Sequence, residues 1–152
     1  MKTKFEIRSY LGNLLFTYEA DSLKEAVVEA VLRGAYLQGA ANIPDLAIAR
    51  TSIVPESGQF VGWKKCENNV IVRLMIGKKA RRSSAGGRKC RAEYVKVLEL
   101  FNGPVGISLH DGVTKYEVGK IVRCDKWEED RWTECGGGIH FYLTRVEAEA
   151  HI

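Results

Sequence analysis

The sequence has no run near the roughly 18 consecutive apolar residues that a membrane-spanning helix requires, and its start, Met1-Lys2-Thr3-Lys4-Phe5-Glu6, lacks the apolar stretch of a secretory signal. The expectation is a protein that stays in the cytoplasm, with no membrane partner. No C-x-x-C pair occurs: the four cysteines, Cys66, Cys90, Cys124 and Cys135, are irregularly spaced, so neither a disulfide framework nor a standard zinc pattern is expected. The Walker phosphate-loop spacing is absent. The acidic stretch 125–131 lacks the regular acidic positions and glycine of a calcium loop, and reads as an exposed polar loop. A net charge of only +4 is too small to imply a long nucleic acid as partner.

What the chain does hold is enough apolar material, 45% of 152 residues, for one core. Phe5-Glu6-Ile7-Arg8 and Leu14 to Tyr18 are β-favouring runs separated by Leu11-Gly12-Asn13, a hairpin pattern, because Gly and Asn accept positive φ at little cost. Ser22 and Glu25 have capping-box spacing ahead of Leu23, Ala26, Val27, Ala30 and Val31, which predicts an amphipathic helix over 22–32. Between residues 30 and 54, Ala-x-Leu-x-Gly recurs every five residues and Ile43, Ile48 and Ile53 keep the period, a degenerate pattern that resembles the pentapeptide-repeat coil. The other reading of this segment is a helix continued to Leu37 and an irregular loop to Pro55. From Gln59 onward the pattern is strands with turn punctuation: Phe60 to Lys65 and Val70 to Ile76 about Glu67-Asn68-Asn69, then Tyr94–Leu100, Thr114–Arg123 and Ile139–Leu143, with Thr144 and Glu147 capping a closing helix. The expected fold is α+β: an N-terminal region over 1–54 with hairpin, helix and a short pentapeptide-repeat-like coil, followed by a mainly antiparallel β domain over 55–152.

The ordered set Gly62-Trp63-Lys64-Lys65, Arg82-Ser83-Ser84-Ala85, Arg88-Lys89-Cys90-Arg91-Ala92, Ser108-Leu109-His110-Asp111, Tyr116-Glu117-Val118-Gly119-Lys120 and Trp132 to Phe141 resembles a domain of unknown function found in bacteriophage and large-virus proteins, commonly behind pentapeptide repeats. The resemblance covers roughly 55–152. Gly138 agrees with its pattern, whereas Gly136 and Gly137 stand where more varied small residues are expected. It implies a viral protein acting in the cytoplasm of a bacterial host and carries no activity.

Residues 78–91 hold seven basic residues and no acidic one, interleaved with serine and glycine. Glycine lets backbone N–H groups converge, serine hydroxyls donate, and arginine forks match phosphate oxygens in pairs, so Arg82, Ser83, Ser84, Arg88, Lys89 and Arg91 form a candidate anion cradle. The alternative is a solvated basic loop. His110 and His140 are candidate contacts to a base or sugar, and Trp132 or Trp63 a stacking surface. Cys90, His110, Cys135 and His140 could converge on a zinc ion, or Cys135 could act as a nucleophile with His110 or His140 as base. Buried structural groups are the competing reading of each. The leading expectation is a non-enzymatic phage accessory protein that binds and sequesters a small phosphorylated ligand such as a signalling nucleotide. The rivals are an inhibitor or virion-associated module docking on a host protein, and a nucleotide-dependent transferase or hydrolase. Pairing of the N-terminal strands between subunits would make a homo-oligomer.

Overall fold

The computed structural model describes residues 2–33, 52–84 and 87–152. Most of the five-residue periodic segment lies outside the described residues. At the N-terminus, β1 (Thr3–Arg8) and β2 (Leu14–Ala20) pair antiparallel. Their turn is held by the Ser9 hydroxyl, which accepts the N–H groups of Leu11 and Asn13 at 3.2 and 3.1 Å, and by Gly12 at φ +81°. Helix α1 (Leu23–Leu32) follows, with Ser22 Oγ accepting the Glu25 N–H and the Glu25 carboxylate accepting the Asp21 N–H. Its Val27 and Ala30 pack on Ile7 and, from far along the chain, on Trp132.

The remainder is built on a four-stranded antiparallel sheet in the order β10-β7-β4-β3, where β3 is Phe60–Lys65, β4 Ile71–Ile76, β7 Tyr94–Phe101 and β10 Ile121–Arg123. A second sheet, in the order β11-β6-β5, comprises Ile139–Phe141, Cys90–Ala92 and Arg82–Ser84. Trp63 and Tyr142 exchange backbone hydrogen bonds of 2.8 and 2.7 Å, which join edge strand β3 to the chain leaving β11. A small ladder, β8 (Gly106–Ile107) with β9 (Lys115–Tyr116), is attached through the Cys66–Ser108 bridge. Val72, Leu74, Ile76, Val95, Val97, Cys90 and Phe141 fill the shared core, all fully buried. Gly62 is needed there because a Cβ would meet Phe141 Cδ2 at 2.5 Å and Ile76 Cδ1 at 2.9 Å. Helix α2 (Arg145–Glu149) closes the chain with the capping box of Thr144 and Glu147.

The architecture is therefore mainly antiparallel β, and its helical share among the described residues is two short helices, less than the α+β expectation implied. Two details differ from the sequence pattern. The single strand expected over Thr114–Arg123 is split into β9 and β10, because Gly119 turns at φ +83° and gives its N–H to Val97 O. The basic segment, read as an anion cradle or alternatively a solvated loop, contributes β5 and β6. No helix among the described residues is long and apolar enough to cross a membrane.

Candidate functional site

Alternation along β3 turns Gly62 and Lys64 to the buried face. Gly62 leaves room for Phe141, whereas Lys64 brings an amino group inside with 9% of its surface exposed. Its Nζ donates to the carbonyl oxygen of His140 at 3.3 Å and lies 5.7 Å from the centre of the Tyr116 ring. Among the described residues no carboxylate forms an ion pair with it. Burial lowers its pKa from the ordinary lysine value; Cys66 opposes this, Lys89 adds to it, and Asp111 opposes it least.

Lys64 lines a cleft of about 250 Å³, together with Ser108, His110, Asp111, Tyr116 and His140. Cys135, Gly136, Gly137 and Gly138 also line it. Here glycine is required at position 137, where a Cβ would overlap the Lys126 carbonyl oxygen, and at 138, where φ is +143°. The His110 and His140 rings meet edge to face with centres 6.1 Å apart. Among the described residues His140 Nε2 is buried without a hydrogen-bond partner, and burial, with Lys89 and Lys64 nearby, presses its pKa down to about 3, so the ring is neutral at physiological pH. Burial likewise raises the Tyr116 phenol well above its usual value. The Asp111 carboxylate is turned to local work: the Thr114 hydroxyl and the N–H groups of Thr114 and Val113 donate to it and hold its pKa well below the carboxylate range. Arg123, Asp125 and Lys126 line the cleft at exposed positions, and Lys89 Nζ lies 3.6 Å from Cys135 Sγ. The result is a small polar cleft with an uncharged histidine inside and a mixed edge in which cations outnumber the one carboxylate.

The model of a family of unknown function (DUF5758) matches residues 50–148. The chain belongs to that family. No curated protein and no solved structure matches it.

Within this DUF5758 chain, the structure separates the sequence-derived candidates into two groups. His110, His140 and, at the rim, Lys89 come together at the cleft. The remainder of the candidate set lies elsewhere, its arginines engaged, while the buried Ser83 hydroxyl has no partner among the described residues. Arg82 gives its fork to the carbonyls of Ala80, Gly58 and Gly77 at 3.1, 2.7 and 2.6 Å. Arg91, 2% exposed, spans the carbonyls of Gly137, Asp130 and Glu128 at 2.7, 3.0 and 3.1 Å. Arg88 pairs with Glu147. Ser84 Oγ accepts the Ile53 N–H, and Ser83 is buried beside it in β5. Trp132 is 5% exposed, within the N-terminal cluster, and Trp63 packs on Phe101. For the zinc alternative, the described residues contain no group of three or more His, Cys, Asp or Glu able to hold a metal ion, and Cys90 is buried with its thiol directed to Arg88 O. Lys64 and Tyr116 are the cleft residues that sequence reasoning missed. The signal was the strand alternation itself, which sets Lys64 in phase with an obligatory glycine.

Proposed function

We propose that this protein binds a small phosphorylated ligand in the Lys64–His110–His140 cleft and, by holding it, withholds it from other proteins. The observation that carries the reading is the unbalanced polarity of the cleft. Among the described residues Lys64 is buried without a carboxylate partner, Arg123 and Lys126 line the cleft at exposed positions with Asp125 between them, Lys89 lies close by against Cys135, and the Asp111 carboxylate is held by local hydrogen bonds. The excess of cations over the two carboxylates draws an anion, and unspent polar groups inside reward a polar sugar or base. A cavity of about 250 Å³ suits a sugar phosphate or that part of a nucleotide. The likeness of residues 55–152 to phage and large-virus domains supports an accessory role in a host cytoplasm, with signalling nucleotides of host defence as one ligand class.

Calorimetric titration with inorganic phosphate, ribose, ribose 5-phosphate and AMP tests this. The phosphorylated sugars should bind, more weakly as salt rises, and lose about tenfold in affinity when Lys126 and Arg123 are replaced by alanine. Equal binding of ribose and ribose 5-phosphate, or binding of none, would sink the reading and favour a protein partner.

A further inference from the structure

Lys64 has a second consequence, resting on the reading of the cleft as a small-ligand site. A buried lysine is ordinarily retained for an ion pair, yet among the described residues Lys64 has a single backbone acceptor and the face of an aromatic ring. Desolvation favours the uncharged amine, which is a nucleophile where an ammonium is not. It lines the same cleft as His140, a neutral imidazole with a buried nitrogen unused among the described residues, and the Tyr116 ring.

We propose that Lys64 forms an imine with the carbonyl carbon of a phosphorylated sugar whose anomeric centre is free, making the protein a covalent and reversible trap for that class of ligand. The Nζ lone pair adds to the aldehyde carbon of the open-chain sugar and the C=O π bond breaks, leaving an ammonium nitrogen and an alkoxide oxygen. One of the two amine protons passes through His140 to the alkoxide, giving the neutral carbinolamine. The C–O bond then breaks as the nitrogen lone pair forms C=N, the second amine proton is passed to the departing oxygen, and water leaves with the C–O bonding pair. Nothing is oxidised or reduced, and hydrolysis returns the sugar unchanged. The excess of cations orients the phosphate, and the small cleft admits one sugar.

The test incubates the full chain with ribose 5-phosphate and cyanoborohydride at pH 7, maps adducts by peptide mass spectrometry, and titrates ribose 5-phosphate and ribitol 5-phosphate calorimetrically without reductant. The expected result is labelling of Lys64 on the order of tenfold faster than any exposed lysine, since each unit of pKa lowering raises the free-amine fraction about tenfold. Inorganic phosphate should slow it, and Lys64→Met, of similar length and apolar, should abolish it with the melting transition retained. If Lys64→Met does not fold, the wild-type peptide map still decides. Equal calorimetric binding of both compounds with Lys64 unlabelled would overturn the imine and leave the cleft reading standing. Absence of binding by either would remove the cleft reading and the imine with it. Labelling spread evenly over surface lysines would also overturn the imine.

Discussion

The amino nitrogen of Lys64 lies 3.3 Å from the carbonyl oxygen of His140, the same residue whose imidazole Nε2 is buried without a partner among the described residues. One contact thus joins β3 to β11, the edge strands of two sheets, beside the cleft that both residues line.

Arg91 should matter to folding far more than Arg88, although both belong to the same basic run. Arg91→Ala removes three hydrogen bonds to carbonyls, of which Gly137 O and Asp130 O keep the N–H groups of Glu128 and Thr133, and should lower the unfolding free energy by about 3 kcal/mol. Arg91→Lys should restore less than half, because an ammonium cannot span the three carbonyls as a planar fork does. Arg88, with 54% of its side chain exposed in its ion pair, should change stability by no more than about 0.5 kcal/mol as alanine. Urea denaturation of the three variants checks the ranking.

Acid should weaken the protein before its carboxylates titrate. His140 has a folded pKa of about 3, below an unfolded value of about 6.5, so between these the unfolded chain binds more protons and stability rises with pH. Its contribution is complete above pH 6.5 or so and is lost on acidification, with a limiting slope of about 1.4 kcal/mol per pH unit. His151, also lowered by burial, acts in the same direction. Glu93 and Glu147 are lowered as well, so their losses begin only below about pH 4.5. Denaturation midpoints from pH 7.5 to 4.5 should fall for the wild type and fall less steeply for His140→Gln.

The cysteines should divide sharply in reactivity. Burial pushes the Cys66 thiol up to about 11 and the Cys90 thiol up to about 12, and neither has exposed surface, whereas Cys135 is exposed at the cleft. Iodoacetamide at neutral pH should modify Cys135 in the native protein and reach Cys66 and Cys90 only after unfolding. Peptide mapping against time gives the order, and ribose 5-phosphate should slow the Cys135 reaction by occupying the cleft.

Gly137→Ala should damage the site through its wall. The added methyl would overlap the Lys126 carbonyl, a backbone atom that cannot swing aside, while Gly137 O is also an acceptor for Arg91. Ligand titration should lose its heat entirely, with destabilisation of about 1–3 kcal/mol by denaturation. Gly112→Ala, where the nearest atom to an added Cβ is the Glu67 carboxylate oxygen at 3.6 Å, is a turn-strain control that should retain binding.

What was legible in the sequence was decided by neighbours in the chain. Ser22 with Glu25, Asn68 and Asn69 in left-handed conformation, and Thr144 with Glu147 each close hydrogen bonds or turns within a few residues, so spacing alone reveals them. Apolar alternation likewise sets the buried faces of β4 and β7. The fate of the basic run was not legible, because one acceptor of Arg82, Gly58 O, lies 24 residues away and an acceptor of Arg91, Asp130 O, lies 39 residues away. An arginine among glycines and serines has the same local pattern whether its fork meets a phosphate or a carbonyl. Likewise, Lys64 and His140 are 76 positions apart, and only the pairing of Trp63 with Tyr142 brings their strands together. The sequence by itself determined the turns, caps and inward faces, which short-range sterics and hydrogen bonding dictate. The tertiary structure alone decided which charged groups are spent on the fold and which are left for a ligand, because burial and long-range acceptors fix the free energy of a charge.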